Sequence, residues 1–270
     1  MAIVLEKVSF KHNKNDKKKT ISNISLEIFD KNICGIIGKS GSGKTTLLEL
    51  IDGLIKPDEG KVLIDDIDIN KDKSIRKEIG FVFQFPEQQF FEQTVKKEIE
   101  FSAKNYGIKK EKVKDVIKLV GIKEDILDKN LNNLSNGERR MVAIASILIY
   151  NPSIILFDEP TIGLDYKNKK KVIRLIKNLK NRFGKTIIIV SHDVDLLYSL
   201  CDKLIIINDG KLLLYGDTLS VYKEIDIINK YNIPVPNIVL FENYVKSNKN
   251  IKLMNSKTVN DLIKEVYRNV

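Results

Sequence analysis

The run Gly38-Lys39-Ser40-Gly41-Ser42-Gly43-Lys44-Thr45 has the form G-x-x-x-x-G-K-[S/T] and carries the plainest chemical meaning in the chain. Its glycines let the backbone turn successive N–H groups inward as an anion nest. A helix that follows points its N-terminus at the same anion. Lys44 can reach the β- and γ-phosphates of a nucleoside triphosphate, the Thr45 hydroxyl can hold Mg²⁺, and Thr46 beside it belongs with the nucleotide-binding residues. A second constellation is Asp158-Glu159, which closes the apolar run 153–157. Asp158 suits Mg²⁺, and Glu159 suits a general base that polarises the attacking water. An acid pair after an apolar run is by itself more often a solvated strand end. The phosphate loop upstream turns the reading toward catalysis.

To work together, these groups must be carried to one edge of a scaffold. Residues 2–10 and 21–28 show β-branched residues in partial alternation and read as strands, with a polar loop over 12–19. Residues 32–37 form a short buried strand that delivers the glycine-rich turn, and Leu47, Leu48 and Ile51 mark the helix after it. Residues 57–60 read as a turn, 61–64 as a strand, and 80–83 as a strand ending at Gln84. From about 92 to 150 the pattern is helical. A strand (153–157), a helix (167–182, apolar at Val172, Leu175, Ile176 and Leu179), a strand (186–190) and a helix (194–200) follow. Strands 204–207 and 212–214 then flank the hairpin signal Asn208-Asp209-Gly210. Such alternation implies an α/β fold with a parallel sheet covered on both faces and interrupted by a helical insertion. The chain after 217 reads as another unit, broken by Pro234 and Pro236. Thr258, with Asp261 three residues on, can cap a final helix. Its Val259, Leu262, Ile263, Val266 and Tyr267 share one face, which can pack on its own domain or against another subunit.

Composition bounds the rest. At 270 residues the chain holds one domain or two small ones, and 43% hydrophobic residues suffice for a real core. The net charge of +10 permits nucleic acid, anionic lipid or a phosphate-bearing ligand, or simply a solvated basic surface. Cys34 and Cys201 have neither zinc nor redox-pair spacing; Cys34 lies in an apolar run as a buried thiol, which fits a reducing compartment. The N-terminus shows no signal-peptide pattern. The longest mainly apolar uncharged stretch, 141–150, falls well short of the ~18 residues of a spanning helix, so other subunits would have to cross any membrane.

Leu134-Ser135-Asn136-Gly137-Glu138 resembles the LSGGQ signature of ABC ATPases, with Ser135 91 residues after Lys44 and the run shortly before the acid pair. Gln84 is similar to their Q-loop glutamine, Gly163-Leu164-Asp165 to their D-loop, and His192, 33 residues past Glu159, to their switch histidine. The combination and its order carry the resemblance, which covers residues 2–217. It implies a P-loop NTPase core with an antiparallel β subdomain, a helical subdomain over about 88–150, ATP and Mg²⁺ as ligands, and catalytic roles for Glu159, His192 and Gln84. Thr45, Gln84 and Asp158 would hold the metal, and His12 (with Phe10 as an alternative) would take the adenine-stacking position. Ser135, Asn136, Gly137 and Glu138 would contact ATP bound by an opposite subunit, with Asp165 alongside. Independently, Ser135 followed by Glu138 is a capping box that opens a helix running through Val142 and Ala145. Asn136 stands where the family has glycine, and Asn tolerates left-handed angles. Glu138 stands for glutamine; an acid suits a helix N-terminus but would repel a phosphate that it faced.

The stretch 83–95, with its Phe85-Pro86-Glu87 triplet, resembles the Q-loop region of energy-coupling factor transporter ATPases, the second of their two paralogues in particular. That resemblance implies a C-terminal dimerisation domain (218–270), a paralogous ATPase partner, a transmembrane coupling subunit and a small substrate-binding membrane subunit. It also implies a place at the cytoplasmic face of the membrane and import of vitamins or transition-metal ions. Two other classes are a nucleic-acid-associated ABC ATPase and an ATP-binding regulatory subunit with weak turnover. Against the first, no coiled coil or zinc site interrupts the core and only one ATPase unit is present; against the second, Lys44, Asp158, Glu159, Gln84 and His192 are all in place.

Overall fold

A computed structural model describes residues 1–85, 90–249 and 256–269. Pro86 and Glu87 of the triplet lie outside the described residues, as does the side chain of Val266. The centre is a six-stranded sheet. Its strands are β3 (Ile33–Ile37), β6 (Ile79–Val82), β7 (Ile154–Asp158), β8 (Thr186–Val190), β9 (Lys203–Asn208) and β10 (Lys211–Asp217), in the order β10-β9-β3-β8-β7-β6. The pairs β9–β3, β3–β8, β8–β7 and β7–β6 are parallel, and only the edge strand β10 is antiparallel. The β9–β10 hairpin turns through Asp209 and Gly210, both at positive φ as the Asn-Asp-Gly signal requires.

Every residue of β3, β7 and β8 is buried, the mark of strands covered on both faces. Alternate residues feed two cores. Cys34, Ile36, Leu156, Ile188 and Ile205 join the core shared with helix α1 (Lys44–Asp52). An antiparallel sheet packs in that same core, in the order β2-β1-β4-β5 (Ile21–Ile28, Ile3–Phe10, Glu59–Ile64, Ile67–Asp68). Ile37, Phe157, Ile187, Ile189 and Ile206 join the opposite core. That core is formed with α2 (Val95–Asn105), α3 (Glu111–Val120), α4 (Asn136–Leu148), α5 (Tyr166–Phe183) and α6 (Val194–Leu200). The stripe expected on α5 is the buried one: Val172, Leu175, Ile176 and Leu179. Helices α2 to α4 are the segment that read as helical with no strand.

Beyond β10 the chain continues as α7 (Thr218–Val221), α8 (Ile225–Lys230), α9 (Asn237–Lys249) and α10 (Val259–Asn269). Asp195 of α6 ties down the start of α9, accepting from the Asn237 backbone N–H at 2.8 Å and its side-chain amide at 2.7 Å. Thr258 caps α10: the Asp261 N–H donates to its hydroxyl at 3.2 Å. Leu262 is buried, whereas Val259, Ile263 and Tyr267 on the same apolar face are 64%, 47% and 82% exposed. Both cysteines are buried, and burial holds both thiols well above their ordinary pKa. Among the described residues no helix is long and apolar enough to cross a membrane.

Candidate functional site

Parallel register assembles the site. Ile36 of β3 lies beside Val190 of β8, which lies beside Asp158 of β7, while Phe157 of β7 lies beside Val82 of β6. The C-terminal ends of four strands therefore reach one edge of the sheet, the side on which such sheets bind ligands. Just past those ends come the glycine-rich loop, Asp158-Glu159, Ser191-His192 and Gln84. An open cleft of about 500 Å³ there is lined by His12, Thr20, Ser40, Gly41, Gly43, Lys44, Thr45, Thr46, Gln84, Asp158, Glu159, Val190 and His192.

The loop turns where only glycine moves freely. Gly41 has φ +74° and Gly43 φ +100°; a Cβ on Gly43 would sit 2.8 Å from the Thr20 carbonyl oxygen. Gly43 also stands as N-cap of α1, so the first free N–H groups of that helix open onto the cleft. The Lys44 ammonium donates to the carbonyls of Gly38 at 2.9 Å and Lys39 at 3.0 Å, which holds it under the loop. Ser42 is buried in the same turn. Burial lowers the Lys44 pKa, opposed by Glu159 and Asp158.

Thr45 Oγ1 donates to Asp158 Oδ2 at 2.8 Å, joining the loop to β7. Two hard oxygen donors thus meet beside Gln84, a set that fits Mg²⁺ bound together with phosphates. Glu159 is buried at 6% exposure and sits at φ +48°, a left-handed conformation that costs a non-glycine residue roughly 1–3 kcal/mol. Its N–H donates to the Val190 carbonyl at 2.9 Å. Burial, reinforced by the neighbouring Asp158 charge, pushes the Glu159 carboxyl up to about 7. Glu159 Oε2 accepts from the Ser191 hydroxyl at 3.4 Å. Its Oε1 takes no hydrogen bond and lies 3.6 Å from His192 Nε2. Burial, then Lys44, lowers the His192 pKa against the opposing pull of Asp158, and the net lowering favours the neutral ring. A base near neutrality, a neutral imidazole and a held lysine in one cleft can bind a phosphate chain and activate a water against it.

His12 lines the cleft, with Nε2 3.2 Å from Thr46 Oγ1; Phe10 packs edge-on behind it at 5.1 Å and does not line the cleft. The signature residues and Asp165 are not brought to this cleft. Ser135 caps α4 in a full capping box, its hydroxyl accepting from the Glu138 N–H at 3.3 Å. The Glu138 carboxylate accepts from the Ser135 N–H at 2.9 Å and hydroxyl at 2.7 Å, so it is turned onto its own cap. Asp165 caps α5 by accepting from the Asn168 N–H at 2.8 Å.

Three participants went unread in the sequence. Arg140, buried at 3% exposure, forks to the carbonyls of Phe83 at 2.8 Å and Gln84 at 2.7 Å, binding the signature helix to the Q-loop segment. Ser191 orients Glu159, and Thr20 walls the cleft. An arginine two residues past the capping box could have been flagged for sitting on a helix otherwise buried. Ser191 and Thr20 carry no such signal.

The fold and cleft define a nucleotide-binding cassette, and comparison with known proteins agrees. The family described as "ABC transporter" matches residues 21–162. The "Energy-coupling factor transporter ATP-binding protein EcfA2" of Caldanaerobacter subterraneus subsp. tengcongensis is 40% identical over 248 residues, covering 88% of this chain and 87% of that protein. An EcfA3 protein of the same description from Oenococcus oeni is 38% identical, covering 91% and 89%. Among solved structures, cbiO1 from Clostridium perfringens, described as part of the ABC transporter complex cbiONQ, superimposes with a TM-score of 0.74 at 31% identity, covering 88% and 97%. The ATP-binding cassette MJ0796, solved as a dimer in a post-hydrolysis state bound to ADP and Pi, gives 0.73 at 31% identity, covering 80% and 98%. The chain belongs to the ABC transporter family of ATPases. Within that family it is similar to the energy-coupling factor ATP-binding proteins over most of its length.

Proposed function

We propose that this chain is the ATP-hydrolysing subunit of an energy-coupling factor importer. It works at the cytoplasmic face of the cell membrane and powers uptake of vitamins or transition-metal ions through partner membrane subunits. The observation that carries the chemistry is the convergence of Lys44, the Thr45–Asp158 pair and the Glu159–His192 pair on one cleft at the strand ends. Lys44 and the N–H groups at the start of α1 bind the phosphate chain of ATP, and His12 offers its ring to the base. Thr45, Asp158 and Gln84 would hold Mg²⁺, which when bound neutralises charge on the phosphoryl oxygens. Glu159, already poised near neutrality, accepts a proton from the attacking water at Oε1, and neutral His192 positions that water.

Ser135, Asn136, Gly137 and Glu138 lie off this cleft, so within one chain they serve no nucleotide. A second ATPase placed against them brings its own ATP to the N-terminus of α4, with Asp165 alongside, and a paralogue is the expected partner. The exposed Val259, Ile263 and Tyr267 of α10 give residues 218–270 an apolar face for that pairing. A groove of about 490 Å³ lined by Leu54, Phe83, Phe90, Phe91 and Tyr150 lies beside the Q-loop segment. It suits a helix of the transmembrane coupling subunit, and motion of Gln84 on hydrolysis would reach it through Phe83. The test is a detergent pull-down with tagged Glu159→Gln protein, ATP and Mg²⁺. Recovery of a second ATPase with a large and a small membrane protein is expected; nucleic acid or soluble partners alone would refute the importer.

A further inference from the structure

The His192 segment is held from two sides. On one, the Ser191 hydroxyl donates to Glu159 Oε2 and accepts from the Asp193 N–H at 3.1 Å. On the other, Asp193 Oδ2 pairs with the Lys169 ammonium, both side chains about one-third exposed. The two Asp193 oxygens divide their work, because Oδ1 caps α6 by accepting from the Leu196 N–H at 2.9 Å. Burial raises the Asp193 carboxyl, and Lys169 together with the Leu196 N–H outweighs it, leaving the group below its ordinary pKa.

Lys169 sits one turn into α5, with its N–H donating to the Asp165 carbonyl at 2.9 Å. Its neighbour Asn168 donates a side-chain N–H to Asp165 Oδ2 at 2.8 Å and packs against the signature helix. A Cβ on Gly137 would fall 2.5 Å from the Asn168 side chain, so that glycine lets α4 and α5 approach. The start of α5 therefore touches the signature element, which faces the partner's ATP, and through Lys169 touches the residue after His192.

We propose that Lys169 is a positioning residue for hydrolysis: its ion pair with Asp193 fixes His192 relative to the first turn of α5 and the signature helix packed on it. The inference rests on the proposed role of His192. An ion pair held by a half-buried lysine sets where the imidazole lies, and misplacement of about 1 Å at a reacting centre can cost on the order of 100-fold in rate. Because the α6 cap uses the other oxygen, losing Lys169 leaves that helix capped.

The experiment is a double-mutant cycle in the same assembly prepared with Glu159 intact, with ATPase kinetics and thermal melting for each variant. K169M is expected to lower kcat about tenfold, with KM for ATP within about twofold and the melting temperature within about 3 °C of the parent. K169R should recover kcat to within about threefold, since it keeps the charge. In an H192A background, K169M should lower kcat by no more than about twofold, because the residue acts through His192. Parental kcat in H192A would overturn both the site reading and this one. With H192A impaired, parental kcat in K169M, or the same tenfold loss in both backgrounds, would overturn the positioning role alone.

Discussion

Replacing Glu159 by glutamine separates what the carboxylate does for chemistry from what it costs the fold. The group is 6% exposed, beside Asp158, and its pKa is pushed up from 4.5 to about 7. Between those values the folded chain binds more protons than the unfolded one, so stability falls as pH rises through that window and stays low above it. At about 1.4 kcal/mol per pH unit the full shift is on the order of 3 kcal/mol. Solvent screening through the open cleft brings this to about 1–2 kcal/mol. Glutamine carries no charge to bury and can still accept from Ser191. In a chain of this size about 1 kcal/mol moves the melting temperature by roughly 2–4 °C. The nucleotide-free Glu159→Gln protein should therefore melt about 3–6 °C above the parent at pH 8.5 and within about 2 °C of it at pH 5. ATP turnover should fall at least ~100-fold, the usual worth of a general base. Scanning calorimetry at both pH values and a phosphate-release assay measure the two effects. Equal melting shifts at the two pH values would refute the buried-charge reasoning, and near-parental turnover would refute the base.

Lys44→Ala removes a charge-assisted donor to phosphate, worth about 1.5–3 kcal/mol; fluorescent-nucleotide titration should show ATP binding weakened about 10- to 100-fold. Glu138→Gln should release the Ser135 hydroxyl from a charged acceptor and raise turnover at the partner's site about two- to tenfold. Its melting temperature should fall by only about 1–2 °C, because glutamine keeps the capping box; unchanged turnover would mean that Ser135 is not limiting there. The double change Val259→Asp and Ile263→Asp places two charges on the exposed face of α10. Size-exclusion chromatography should show loss of the second ATPase with the ATP-binding cleft intact, and unchanged co-elution would remove that face from the pairing surface.

Local pattern settled a great deal here. The eight residues from Gly38 to Thr45 require glycine at φ +74° and +100° and a lysine at a helix start, and such demands are written residue by residue. The stripe on α5 and the buried runs of β3, β7 and β8 follow from periodicity, and the Ser135–Glu138 capping box from a spacing of three. These signals are short-range, so one chain displays them without its fold. The alignment of Ile36, Val190 and Asp158 across the sheet is different in kind. It depends on register between strands as far apart in sequence as those of Ile36 and Val190, and that register alone turns scattered motifs into one cleft. The fork of Arg140 onto Phe83 and Gln84, the rise of Glu159 to about 7 and the Lys169–Asp193 pair belong to this second kind. Each arises where desolvation and charge from distant segments meet. The direction of the Glu138 carboxylate, by contrast, follows from the local capping box with Ser135. The sequence determined which groups the protein owns and what chemistry they can do; the tertiary structure decided which of them meet, because burial and proximity are properties of the packed chain.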